Sequence, residues 1–369
     1  MDWEAEGLLE GLDDDAARTA RRTLLDELHE SGVDLDELRT AVAEDRLVLL
    51  PVERMLAGDR PYTARDITRE SGLDLGFFQD LRRALGLAVP DPDERVYGDE
   101  DLQAARSGVR YRATGFPDDE VLEVVRILGQ GLARYAEANR TMAGRILLQP
   151  GIDEAELAHR YAGVAQELLP LAGPWMDHVF RLHLRQVLRH DAISREELVA
   201  GHLRDTEETA VAFADLVGFT TLGDTAPLEE LSGVAARLGE LTGERVQPPV
   251  RFVKQIGDAV MLVSSEVEPL LDTVVGLVDV TGADDGFPPL RAGIAFGPAV
   301  NRWGDWYGST VNVASRLCSR ARPAAVLVTQ EVRERGGEDW QWSAAGAKRL
   351  KGLSSPVTTF RVRRAEPAS

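Results

Sequence analysis

The chain has 369 residues, with 42 Lys and Arg against 62 Asp and Glu, a formal charge of −20 and an apolar share of 44%. That length and composition suit two or three globular domains, and the acidic balance argues against a protein that wraps nucleic acid or an anionic membrane. The single cysteine, Cys318, allows no internal disulfide and fits a reducing cytosol. The opening MDWEAEGLLEGLDDD lacks the basic-then-apolar order of a signal peptide. No run approaches the ~20 apolar residues of a membrane span, so a soluble cytoplasmic protein is expected.

The first half is helical in period. In DAARTARRTLLDELHESGVDLDELRTAVAED the apolar residues fall at helical spacing, and Gly32 interrupts them as a helix end would. Next, YTARDITRESGLDLGFFQDLRRALGLAVPDPDERVYGDEDLQAA resembles the helix-turn-helix and wing of MerR-type regulators. A DNA-reading version needs a basic recognition helix. Between Thr63 and Arg83, however, Arg65, Arg69, Arg82 and Arg83 are balanced by Asp66, Glu70, Asp74 and Asp80. The segment therefore reads as packing within a regulatory domain, with no nucleic-acid partner expected.

PDDEVLEVVRILGQGLARYAEANRTMAGRILL follows, opened by Pro117 and two acids as a helix N-terminus is. From Asp153 to Leu188 the spacing predicts helices broken at LPLAGPW. RHDAISREELVAGHLRDTEET is highly charged, with a sparse apolar stripe at Ile193, Leu198 and Leu203, and reads as a linker helix over residues 191–205. After Thr206 the pattern changes. The strand-like runs TAVAFADL, VRFVKQI, AVMLVSS, LRAGIAFG, AAVLVTQ and VTTFRV alternate with two helices, APLEELSGVAARLGELTGE and EVEPLLDTVVGLVDVTG. Runs mixed in this way predict an α/β or α+β sandwich.

Four segments of this second half carry chemistry. TAVAFADLVGFTTL is an apolar strand that ends in a carboxylate, Asp215, which is costly to desolvate unless something pairs with it. VRFVKQIGDAVMLV places a second acid, Asp258, just past Gly257 at a predicted hairpin tip, with Lys254 on the incoming strand. Either acid alone reads as a turn residue. Two in one small domain point to a hard-cation site, since Mg²⁺ takes a few carboxylates, water and phosphate oxygens. In NRWGDWYGSTVNVASRLCSRA, Ser309 or Thr310 is expected to cap a helix on which Asn312 and Arg316, four apart, share a face. Small Ala314 and Ser315 permit a neighbouring element to approach, and Asp305 precedes this helix in a Gly- and aromatic-rich loop. AKRLKGLSSPVTTFRV puts Lys351 before a Gly turn and the last strand.

The order and spacing of these residues resemble the catalytic domain of class III nucleotidyl cyclases over about residues 206–365. The resemblance implies an α+β, ferredoxin-like (βαββαβ) catalytic domain. It implies that Asp215 and Asp258 bind two divalent metal ions, Mg²⁺ or Mn²⁺, with help from the Leu216 backbone carbonyl. It makes Asn312 the residue that orients the ribose and Arg316 the one that neutralises the α-phosphate. Lys254 and Asp305 fall where adenylate-forming members read adenine, and Lys351 falls on the triphosphate-binding lysine. The expected reaction turns ATP into 3′,5′-cyclic AMP and pyrophosphate.

Elementary chemistry agrees with each role. Two ions ~3.5–4 Å apart lower the pKa of the 3′-hydroxyl and neutralise the leaving group. Arg316 and Lys351 supply cationic stabilisation. The Gly218-Phe219-Thr220 turn can offer backbone N–H groups to the outer phosphates. Adenine presents an N6 donor and an N1 acceptor, which suit Asp305 and Lys254; guanine reverses both.

In the resembled family the site is shared across a dimer, so a homodimer with two equivalent sites is expected. The front half also resembles the helical regulatory domain of certain actinobacterial cyclases, where it restrains the catalytic dimer. The expected division is a helical regulatory domain over 1–190, the linker over 191–205 and the catalytic domain over 206–369. Five of six histidines lie between His159 and His202. His183 shares a predicted helix face with Val179, Phe180 and Val187 and is expected to be partly buried, so His183, His190 and His202 are candidate proton-sensing residues. Two rivals stand beside the cyclase: a catalytically silent ATP-binding sensor, which the intact residue set weighs against, and a MerR-like DNA-binding regulator, which lacks a basic surface.

Overall fold

The computed structural model describes residues 1–12, 14–190, 206–219, 228–284, 286–351 and 355–365. Two units divide it, Met1–Gln186 and Val187–Ser369. In the first, helix α1 (Asp15–Glu30) starts at Asp14, whose carboxylate accepts the Ala16 N–H, and Gly32 lies just beyond its end. Helix α2 (Leu35–Ala43) is capped in the same way by Asp34, which accepts from the Glu37 N–H at 2.8 Å. These caps satisfy N–H groups that the helix leaves unpaired. The two helices and α3 (Leu50–Ala57) close a core of Trp3, Leu24, Leu25, Leu28, Leu38 and Leu50. Each leucine so buried contributes about 2 kcal/mol.

A second core, around Ile67, Phe77, Phe78 and Tyr97, gathers α4 (Ala64–Ser71), α5 (Leu75–Ala84) and α6 (Asp99–Ala113). The Tyr62–Tyr97 bridge ties the segment after α5 back to the approach to α4. The arginines counted in the sequence are all paired: Arg65 with Asp93, Arg69 with Asp66, Arg82 with Asp101 and Arg83 with Asp80. Helix α7 (Asp118–Leu147) begins directly after Pro117.

Helix α8 (Glu154–His190) corrects the expected break at LPLAGPW, since it runs through both Pro170 and Pro174. Each proline removes one N–H from the ladder, but residues four apart lie on one side of a helix, so the ladder elsewhere is untouched. His183 is exposed, which corrects the expectation of burial. Its supposed partners Phe180 and Val187 are exposed too, so the face that was to cover it is itself uncovered. The linker, residues 191–205, lies outside the described residues, as does His202; the side chain of His190 is likewise not described.

The second unit is built on one sheet. In chain order it holds β1 (Glu207–Leu216), α9 (Leu228–Arg245), β2 (Arg251–Ile256), β3 (Ala259–Ser264), α10 (Val267–Gly282) and β4 (Leu290–Arg302). These strands lie in the order β2-β3-β1-β4, all antiparallel, which is the ferredoxin-like βαββαβ arrangement. The sheet continues through β6 (Ala325–Thr329), parallel to β4, then β8 (Val357–Arg364) and β7 (Trp340–Lys348). Strand β5 (Asp305–Tyr307) pairs only with the end of β4. Helix α11 (Ser309–Arg320) follows it, and α12 (Gln330–Arg335) follows β6.

Period-two alternation divides the two faces. Ala210, Ala212, Ala214 and Leu216 of β1 join Leu238 of α9 and Leu270, Val274 and Leu277 of α10 in the main core. Val211 and Phe213 point the other way, into a smaller core with Ala295, Trp306 and Ala314. Asp215 continues that second set. It therefore ends on the face that carries α11.

Candidate active site

Asp215 is the penultimate residue of β1 and stands opposite Ala259 of β3 on one side and Arg291 of β4 on the other. The two-residue turn Gly257-Asp258 joins β2 to β3, with Gly257 at φ +59°, where a II′ hairpin takes glycine. Gln255 steadies this turn by donating to the carbonyls of Gly257 and Ala235. The Leu216 N–H donates to the Asp258 carbonyl at 3.1 Å, so the end of β1 is fastened to the hairpin tip. This brings the two acids together. Burial pushes the Asp258 carboxyl above its ordinary value, and the Asp215 charge adds to the shift.

Arg291 was not foreseen. Its Nε donates to Asp215 Oδ2 at 2.8 Å, and its Nη2 donates to the same oxygen. The signal for it was present: an arginine inside the otherwise apolar run LRAGIAFG needs a partner as much as Asp215 does.

A second group lies around β5. Lys254 Nζ is bonded to Asp305 Oδ2, and the Trp306 backbone N–H donates to Asp305 Oδ1 at 2.8 Å. Trp306 is buried, so the carboxylate stands on a fixed base. On α11, Asn312 is exposed and Arg316 half-buried, and Arg316 makes no ion pair among the described residues. Expected capping is corrected here: Gly308 precedes the helix without a side-chain cap, while Thr310 is buried and donates to the Pro298 carbonyl at 2.8 Å. Ala314 fulfils the close approach, because a Cβ on Gly293 of β4 would fall 2.4 Å from the Ala314 carbonyl and 2.2 Å from the Cys318 nitrogen.

Lys351 is exposed, just after the end of β7. Gly218 is exposed at φ +82°, and Phe219 packs partly buried on the main core. Thr220 lies outside the described residues. Among the described residues no hydrogen bond or ion pair links the Asp215–Asp258–Arg291 group to the Lys254–Asp305 group.

Comparison with known proteins bears on both halves. The family described as the adenylate cyclase regulatory domain matches residues 1–188. A pH-sensitive adenylate cyclase of Mycobacterium tuberculosis is 43% identical over 94% of this chain and 89% of its own. This chain belongs to that family of adenylate cyclases. An adenylate cyclase of Streptomyces coelicolor is 31% identical over 77% of this chain and 74% of its own. The solved adenylyl cyclase CyaB of P. aeruginosa aligns with 44% of this chain and 98% of its own, at 19% identity and a TM-score of 0.38.

The donor set of the cyclase fits the divalent metals its family implies. Asp215 and Asp258 are hard oxygen donors at one place, close enough for the Asp215 charge to bear on the Asp258 carboxyl. Two carboxylates, with water and phosphate oxygens completing the shell, are the kind of donor set that Mg²⁺ or Mn²⁺ takes. No helix among the described residues is long and apolar enough to cross a membrane.

Proposed function

We propose that this cyclase converts ATP into 3′,5′-cyclic AMP and pyrophosphate in a site that two copies of the chain share. The observation that carries the reading is the backbone fastening of Asp258 to the end of β1, with the Asp215 charge bearing on the Asp258 carboxyl. Asp215, Asp258 and the Leu216 carbonyl would hold two divalent cations. When bound, these supply Lewis acidity towards the ribose 3′-oxygen and the triphosphate. Asn312 orients the ribose, and Arg316 neutralises charge at the α-phosphorus as the 3′-oxygen attacks and pyrophosphate leaves. Lys351 and the backbone N–H groups of Gly218, Phe219 and Thr220 hold the outer phosphates. Lys254 donates to adenine N1, and Asp305 accepts from the N6 amino group.

Within one chain the two residue groups are held by different partners, Asp215 by Arg291 and Asp305 by Lys254 and the Trp306 N–H, which fits a composite site. A two-fold dimer places one chain's acids against the other chain's Lys254, Asp305, Asn312 and Arg316, twice over. The Met1–Gln186 unit restrains this assembly, and a response to protons is proposed with it. The pH-sensitive relative and the histidines crowded from His159 to His202 support this, whereas burial of His183 no longer does.

The decisive experiment incubates purified protein with ATP or GTP and Mn²⁺ or Mg²⁺ and identifies the product. Cyclic AMP from ATP is expected, and ATP binding without product would leave only a sensor. For the restraint, residues 206–369 and the full chain are compared across pH 5.5 to 8. The shorter chain should be more active at neutral pH and the full chain should gain on acidification. Parallel profiles would remove the proton response.

A further inference from the structure

We propose that Arg291 is a built-in competitor for the Asp215 carboxylate, so that a divalent cation binds only by displacing a guanidinium. This rests on the reading of Asp215 as a metal ligand. The first observation is the pairing itself. Arg291 is the cross-strand partner of Asp215, and two of its N–H groups converge on one oxygen, Oδ2. The Asp215 side chain is only 19% exposed, so little water competes for that oxygen. One positive charge is thereby lodged against two neighbouring carboxylates. An incoming cation meets a site of less negative net charge and a like charge close by.

The second observation is that Arg291 has somewhere else to go. Its Nη1 already reaches the Ser319 carbonyl at 3.4 Å, one residue before the end of α11. A helix C-terminus offers unpaired carbonyls and the negative end of the dipole, both of which favour a cation. The backbone of Arg291 cannot follow. It is paired to β1 on one side and to Ala325 of β6 on the other, and the Cys318 Sγ–H donates to its carbonyl at 3.4 Å. The exchange is therefore a side-chain swing between a carboxylate and a helix end, with the strand held still. Its third of exposed surface screens the repulsion, so the effect on affinity is on the order of tenfold and not many powers of ten.

The test titrates Mn²⁺ alone into the full-length protein without nucleotide and follows free Mn²⁺ by electron paramagnetic resonance. Arg291→Gln, which keeps length and loses charge, is expected to bind Mn²⁺ about tenfold more tightly than the native chain. Equal or weaker binding by a variant with native circular dichroism would overturn the proposal. If Arg291→Gln does not fold, Arg291→Lys decides. Its ammonium makes a single contact, so tightening of a few-fold is expected, and none would again overturn the idea. Asp215→Asn is the separate control. If it binds Mn²⁺ like the native chain, the metal-ligand reading fails whatever Arg291 does.

Discussion

Lys254 and Asp305, 51 positions apart, form an ion pair at the start of β5, with the carboxylate also held by the Trp306 N–H. A donor and an acceptor are thus presented together and fixed. A site built to hydrogen-bond one base leaves its polar groups unpaired against the other. Replacing both, as Lys254→Glu with Asp305→Cys, should reduce the kcat/KM preference for ATP over GTP at least tenfold, about 1.4 kcal/mol. Rates of cyclic AMP and cyclic GMP formation measure it. An unchanged ratio would mean that the pair does not read the base.

Asp215→Ala and Arg316→Ala chains should each retain less than about one-hundredth of native activity, given that removing one charge-stabilising group costs ~10²–10³ in rate. Mixed under conditions where subunits exchange, they should regain up to a quarter. Half the dimers are then mixed, and each has one intact site. Absence of recovery with exchange demonstrated would place the whole site in one chain.

Gly293→Ala should lower the stability of the catalytic unit by about 3 kcal/mol, the upper range for overpacking. The added Cβ would meet backbone atoms of α11 at 2.2 and 2.4 Å, and backbone cannot rotate away as a side chain can. Thermal unfolding of the 206–369 chain reads this, and a shift of less than a degree would show that α11 yields.

Cys318 is 3% exposed, and burial pushes its thiol up from 9.0 to about 12. At pH 8 it is therefore a protonated, covered thiol, and an aromatic disulfide reagent should label it only after denaturation. Because the folded value lies above the unfolded one, the associated stability is present below pH 9 and lost as pH rises towards 12. The fall in unfolding temperature between pH 9 and 11 should be smaller in Cys318→Ala.

The sheet was legible wherever strands are apolar, because burial on both faces leaves a run such as AVMLV with no polar residue. It was illegible at β7, whose WQWSAAGAK pairs with β8 as the edge strand and bulges between Ala344 and Gly346, so little hydrophobic pattern is required. Three-residue β5 is too short to show a period. In the site, acids and lysines stood out by their spacing. Arg291 did not, because its role depends on a partner 76 residues away that only strand register supplies. His183 failed for the opposite reason: helical period names a face but not what covers it.

The two prolines of α8 leave the carbonyls of Gln166 and Pro170 without their usual i+4 donors, both along one edge of the helix. Mechanically, α8 is a beam notched twice on the same side. A load at its C-terminal end meets least resistance in the plane of those notches, so the rod that leads towards residue 191 has a preferred direction of flexure written into its sequence.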